Sequence, residues 1–252
     1  MNQLTLTALP DIPLIEAGDN LFKILLQSLQ NAQIKLQQGD ILVLAQKIIS
    51  KAEGRWVNLE TILPSLEAAE LADQTEKDPR LVEMILQESR QVIRQRPGLI
   101  IVEHKLGFIC ANAGIDHSNV RGSEDWILLL PENPDASAAK LKAAIEHETG
   151  AEIGVMIIDS HGRAWRNGTV GITIGLSGIP GVVDRRGEID LFGYQMRATD
   201  VGAADELAAA ASLLMGQVAE GTPAVHVRGF PYPLRESHLR EILRDEESDL
   251  FR

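Results

Sequence analysis

Three stretches of the chain bring together residues able to do chemistry. In residues 155–163, V-M-I-I-D-S-H-G-R, four apolar residues run into Asp159, Ser160, His161 and Gly162. Such a run predicts a strand buried on both faces. Its last side chains reach the edge of a sheet, where α/β sites often lie. An aspartate beside a serine offers hard oxygen ligands, suited to Mg²⁺ or Mn²⁺. The plainer reading is that Asp159 caps the next turn. Residues 112–119, N-A-G-I-D-H-S-N, make a second oxygen-rich stretch around Asp116. It reads as a ligand-positioning loop or as a simple Asx-rich turn. Residues 46–55, Q-K-I-I-S-K-A-E-G-R, gather Lys47, Lys51 and Arg55, with Ser50 as a further donor. These are cations aimed at phosphate, or the solvated face of an amphipathic strand.

Other chemistries are missing. No G-x-x-x-x-G-K-[ST] occurs, so a P-loop is excluded. The histidines, His104, His117, His147, His161, His226 and His238, form no H-x-x-x-H pair, which argues against zinc. Cys110 follows an apolar strand without an adjacent base, so a thiol nucleophile is not expected. Carboxylates for metal and lysines for phosphate remain. Those are the parts phosphoryl transfer requires.

Composition sets the bounds. The chain has 252 residues, 44% of them hydrophobic, enough for a substantial core. A net charge of -12 and no long basic run exclude a nucleic-acid partner. A mononucleotide is still compatible, since a few local donors and a metal hold a triphosphate. A single cysteine forbids an intrachain disulfide and fits a reducing cytoplasm. No signal peptide or run of membrane-spanning length is seen.

The elements that must position these groups follow from periodicity. A short strand is expected near residues 4–8. A helix capped by Asp19 then carries Leu21, Leu25 and Leu29 and ends at Gly39. Residues 41–45 predict a buried strand that continues into the lysine segment in extended form. Residues 59–96 read as helical, broken at Asp78-Pro79. Residues 99–103 and 107–111 pair as a hairpin around His104-Lys105. Residues 126–130 form a strand, and Ser137 caps a helix closed by Gly150. Residues 170–176 form a strand whose glycines mark the close approach of a ligand or backbone. Asp200 caps an alanine-rich helix closed by Gly216, residues 222–228 make a last strand, and the tail from Ser237 is an amphipathic helix.

The chain also resembles a known family, the coenzyme F-420-0:L-glutamate ligases, or gamma-glutamyl ligases of the deazaflavin coenzyme. The likeness rests on I-P-L-I at residues 12–15, S-K-A-E-G-R at 50–55, N-A-G-I-D-H-S-N at 112–119, I-D-S-H-G-R at 158–163 and L-L-M-G at 213–216. The resemblance implies an α+β fold of mixed sheets with flanking helices in an intertwined homodimer. It implies one ligase module over residues 1–252, undivided or in two subdomains with an unknown boundary, and no C-terminal flavin-binding domain. The activity implied is a GTP-dependent amide ligase that joins L-glutamate to a carboxylate of F-420-0, with two Mn²⁺ or Mg²⁺ ions and K⁺.

Residue by residue, the resemblance makes Asp116, Asp159 and Ser160 metal ligands. Family members often carry threonine where Ser160 stands; serine keeps the oxygen and loses the methyl group that limits rotamers. Gln217 stands where some members have a glutamate ligand, and a neutral amide binds a divalent ion less strongly. GTP would meet Ile12, Pro13, Leu14, Ile15, Gln46, Lys47, Lys51, Asn119, Met215, Gly216, Gln217, Val218, Ala219, Glu220, Gly221 and Thr222. No general base is singled out. Two alternatives share these motifs: a glutamate ligase acting on a pterin or folate, and a non-catalytic nucleotide- or metal-binding protein.

Overall fold

The computed structural model describes residues 3–117 and 125–250. From the N-terminus, β1 (Thr5–Ala8) leads through a proline-bearing loop to α1 (Leu21–Asn31). Leu21, Leu25 and Leu29 share its buried face, as their spacing requires. Asn20, not Asp19, caps it by accepting from the Lys23 N–H. Asp19 instead accepts from the Glu16 N–H at 2.8 Å, one turn earlier. The helix also ends before Gly39: Gln33 turns the chain at φ +56°, and Gly39 serves the following turn at φ +87°.

From that turn, β2 (Ile41–Ala45) passes directly into α2 (Gln46–Ala52). The lysine segment is therefore helical, not extended. Gln46, Ile49 and Ser50 are buried together at the i, i+3, i+4 spacing of a helix face. Ser50 is turned inward and donates to the Gln46 Oε1 at 2.9 Å, so it is not a phosphate donor.

After β3 (Trp56–Asn58), residues 59–96 divide into α3 (Leu66–Thr75), α4 (Pro79–Gln87) and β4 (Ser89–Arg96). Asp78 caps α4 and Pro79 opens it, so the expected break is real. The last third is a strand instead of a helix. Its polar, exposed residues mimic the solvated face of a helix. β4, β5 (Leu99–His104) and β6 (Ile109–Ala111) form an antiparallel sheet in that order, containing the expected hairpin. β7 (Trp126–Leu128) pairs with β3.

Asn133, one turn before Ser137, caps α5 (Pro134–Thr149), and Gly150 closes it at φ +71°. β8 (Gly154–Arg163) and β9 (Arg166–Ser177) make a long hairpin. β10 (Val183–Asp184) and β11 (Asp200–Val201) form the base of a second, protruding hairpin. Asp200 thus sits in a strand, and α6 (Ala203–Met215) begins at Gly202 without a side-chain cap. Gly216 closes α6 at φ +71°, and β12 (Ala224–Arg228) follows. Among the described residues the tail forms two short 3₁₀ turns in place of the expected amphipathic helix. Leu239 packs into the core, and the Glu241 side chain is engaged by Arg235, Ser237 and the Val182 N–H.

Five strands make the central sheet in the order β1-β12-β2-β8-β9. β2 and β8 run parallel at its centre, and Ala45 lies opposite Ile158. Both strands are apolar runs because both faces are covered. Leu42, Val43, Leu44, Val155, Met156 and Ile157 are fully buried. Two helices lie directly on β9. A Cβ on Gly171 would come within 2.6 Å of the Ala208 carbonyl oxygen in α6, and one on Gly175 within 2.5 Å of Pro134 in α5. The strand glycines therefore admit neighbouring backbone, one of the two expected meanings. The same helices supply Ser212, Asp205 and Asp135, which accept from the Gly171, Thr173 and Leu176 N–H groups. These contacts cover a strand that would otherwise be an open edge. The family expectation of an α+β fold with several sheets and flanking helices agrees with this architecture.

Candidate active site

The register of β2 against β8 decides where the chemistry emerges. Ala45 and Ile158 end the paired segment side by side. The next residues, Gln46 and Asp159, therefore enter the same space from adjacent strands. That space is a cleft of about 1240 Å³. Asp159, Ser160 and Gly162 line it from β8, while Gln46, Lys47 and Lys51 line it from α2. Lys47 and Lys51 share a side because α2 is a helix and they stand four apart. The Lys51 ammonium lies 5.8 Å from the centre of the Trp56 ring, a cation–π distance.

Asp116 arrives from the opposite side. Asn112, Ala113 and Gly114 all have positive φ, at +50°, +54° and +65°. Asparagine and glycine tolerate this region, whereas alanine is strained there. The Asn112 side chain accepts from the Ile100 N–H at 3.2 Å, and any Cβ on Gly114 would strike Leu130. This tight turn brings Asp116 to a pair of backbone hydrogen bonds with Leu128, of 3.0 and 2.9 Å.

The Asp116 carboxylate receives the Gln46 amide at 2.7 Å and faces the Lys47 ammonium at 3.2 Å. Burial pushes its pKa up to about 6; Lys47 opposes that shift and the Asp159 charge adds to it. Two carboxylates thus feel each other across the cleft, and a divalent cation would relieve both. Among the described residues, no three His, Cys, Asp or Glu side chains converge as a closed metal cage. The donor set suits a hard ion held by one or two carboxylates, a hydroxyl and the oxygens of a bound phosphate, as Mg²⁺ commonly is.

A loop after α6 completes the cleft. Met215, Gly216, Gln217, Val218, Ala219, Glu220, Gly221 and Thr222 all line it, as do Ile12, Pro13, Leu14 and Ile15 from the N-terminal loop. Gln217 is exposed. The Glu220 carboxylate accepts from the Val218 N–H at 2.8 Å. That bond and the neighbouring backbone N–H groups hold it below the usual carboxylate range. The backbone N–H groups of this loop are thus gathered about a carboxylate of the chain itself. Of the expected site residues, only Asn119 falls outside the described residues.

His161 was not among the expected site residues. Its Nε2 lies 2.9 Å from Asp159 Oδ2, and the ring is buried. The signal was present in D-S-H: alternate residues of a strand share a face. Trp56 and Trp126 also line the cleft without having been anticipated. Cys110 is excluded as a nucleophile, since burial pushes its thiol up to about 12.

The gamma-glutamyl ligase model, described as F420-0:Gamma-glutamyl ligase, matches residues 11–229. The chain belongs to that family. Its relatives include proteins named Coenzyme F420:L-glutamate ligase. The one from Methanothermobacter thermautotrophicus is 45% identical over 99% of each chain. The one from Methanocaldococcus jannaschii is 43% identical over 96% of this chain and 94% of the relative. The one from Methanopyrus kandleri is 42% identical over 94% of this chain and 93% of the relative. Family membership makes this a ligase fold, and the matched region includes every side chain described in the cleft. Among the described residues no helix is long and apolar enough to cross a membrane.

Proposed function

We propose that the protein is a GTP-dependent ligase that joins L-glutamate by an amide bond to a carboxylate of coenzyme F-420-0, in the cytoplasm. The reading is supported by one observation: two carboxylates, two lysines and the loop of residues 215–222 meet in one cleft of a chain from this family.

A free carboxylate does not acylate an amine, because oxide is a poor leaving group. An acceptor carboxylate oxygen attacks the γ-phosphorus of GTP, the bond to the β-phosphate oxygen breaks, and GDP leaves. The glutamate amine attacks the resulting acyl phosphate, loses a proton, and inorganic phosphate departs. Asp116, Asp159 and Ser160 would hold Mn²⁺ or Mg²⁺, with Gln217 as a weaker neutral donor. Such ions supply neutralisation of phosphate charge when bound. Lys47 and Lys51 add fixed positive charge beside the transferred group. The loop of residues 215–222 and the segment of residues 12–15 orient the nucleotide, and Asn119 extends that contact. The walls supply positioning, which alone accounts for a large part of such rate enhancements. K⁺ is included as a helper ion on the strength of the family resemblance.

A second copy of the chain is the proposed partner. The hairpin carried by β10 and β11 projects Ile189, Leu191, Phe192 and Tyr194, with Leu191 99% exposed. An apolar cluster of this size on an arm fits an exchanged dimer contact. Leu191→Glu with Phe192→Glu should give a monomer by light scattering; an unchanged mass would remove the arm from the assembly.

The activity test is phosphate release from GTP with Mn²⁺ and K⁺, with and without L-glutamate and F-420-0, and product mass as the second readout. Release that requires both substrates and yields the glutamylated coenzyme is expected. Release with a pterin or folate instead would reassign the acceptor, and binding without release would make the protein non-catalytic.

A further inference from the structure

Behind Asp159 lies a buried histidine, His161, that the ligase reading leaves unused. Asp159 and His161 share one face of β8. The His161 Nε2 contacts Asp159 Oδ2 at 2.9 Å, while its Nδ1 is buried without a hydrogen-bond partner. The ring therefore makes one hydrogen bond, and that bond goes to Asp159.

The ring is also held from behind. Phe108, itself buried, has its centroid 5.3 Å from that of His161 at 55°. On its other side Phe108 stacks on His104 at 5.1 Å and 7°. His104 is anchored in turn by accepting from the Leu106 N–H at 3.0 Å. The hairpin of β5 and β6 thus packs two rings, Phe108 and His104, behind His161 and its carboxylate partner. A buried polar ring at this depth is costly unless its single bond has a use.

We propose that His161 is a positioning residue for metal binding: its Nε2–H occupies Asp159 Oδ2 and so turns Oδ1 into the cleft. This rests on the reading of Asp159 as a metal ligand. The carboxylate is otherwise free to rotate about its terminal torsion, which is broad. Binding a cation would then carry the entropy of fixing that torsion. The buried ring stack removes that freedom before the ion arrives. Hydrogen-bonding partners of ligating groups typically alter metal affinity by about 10- to 100-fold.

The test is Mn²⁺ affinity, read as free Mn²⁺ by paramagnetic resonance, with and without a non-hydrolysable GTP analogue. Thermal stability is measured beside it. His161→Phe keeps a ring against Phe108 and loses the donor. His161→Gln keeps an amide N–H near the Nε2 position, whereas His161→Asn places its amide near Nδ1, short of Asp159. Weakening of about tenfold in the Phe and Asn variants, with the Gln variant near wild type, is expected. Affinity that is unchanged in His161→Phe, or that falls equally in all three in step with melting temperature, overturns the proposal. Where His161→Phe does not fold, the Gln and Asn pair decides alone. Asp159→Asn separates the two claims. Unchanged Mn²⁺ affinity there removes both. A loss there with unaffected His161 variants removes only the positioning role.

Discussion

Strand ends build one wall of the cleft and loops build the other. On the strand wall, Asp159 stands within β8 directly after four buried apolar residues. Its direction is set by the sheet, and its carboxylate is fixed by His161. On the loop wall, residues 216–221 are largely exposed and offer backbone N–H groups gathered about their own Glu220. The first wall supplies a few side chains at defined points. The second supplies a concave surface whose chemistry depends little on side-chain identity. Asp116 is intermediate: a loop residue held by left-handed turns and by hydrogen bonds to Leu128. On the proposed reading, carboxylates that would share one ion need the first construction, while a polyphosphate would be received by the second.

Substitutions on the strand wall should therefore have the largest effects. Asp159→Asn is expected to lower turnover by at least about 100-fold, beyond the loss of a partner to a metal ligand. Its fold should persist, with a melting temperature unchanged or raised, because functional sites often reduce stability. Wild-type phosphate release by this variant would remove Asp159 from the mechanism. One step back along the strand, Ile157→Ala should cost about 2–5 kcal/mol in urea unfolding, since Ile157 is fully buried. A small loss there would show that the strand wall is not rigid.

Lys47→Ala and Lys51→Ala sharpen the comparison from the side of α2. Each should weaken GTP binding by about tenfold, or about 1.4 kcal/mol, by calorimetry. The urea midpoint of Lys51→Ala should correspond to a change of about 0.5 kcal/mol or less, and that of Lys47→Ala to about 1 kcal/mol, because it also removes the partner of Asp116. Unchanged nucleotide affinity in both would return the lysines to a solvated role.

The hairpin behind the strand wall carries a pH signature. Burial pushes the His104 pKa down to about 4, and the neighbouring His161 contributes. The unfolded chain takes up a proton near pH 6.5, which the folded chain refuses. Stability from this group is thus present above pH 6.5 and is lost as pH falls toward 4. His104→Gln should flatten the fall in urea midpoint across that window; an unchanged slope would assign it to other groups. The smallest effect belongs to the loop wall: Val218→Ala, at a 75% exposed position, should move stability by about 0.5 kcal/mol or less.

Legibility in the sequence follows the same division. The run of residues 155–158 is apolar on both faces, so a buried strand reaching Asp159 could be read directly, although it continues to Arg163. The oxygen ligands and lysines were visible as residue types, and the family motifs joined them into one site. Conformation decided by tertiary packing was hidden. Residues 46–52 look extended until Ile49 and Ser50 must be buried on one side. Residues 89–96 look helical because their polarity belongs to an exposed strand. The link from His161 to Asp159 needed a strand to extend past the apolar run, and nothing in the composition of D-S-H-G-R requires that. The role of Phe108 was beyond reach, since it depends on a hairpin from another sheet.

The position of β12 has a consequence for the order of assembly. It lies between β1 and β2, so the first two strands of the chain join one sheet only when the last one has been inserted between them. Ile41 likewise waits for Gly154 before the parallel centre can close. Contacts so distant in sequence slow folding, because loop closure comes before the contacts that reward it. During synthesis β1 remains without its sheet until residue 228 has left the ribosome. A nascent chain stalled before that point should therefore expose strand edges, and chaperone demand should fall sharply once β12 emerges.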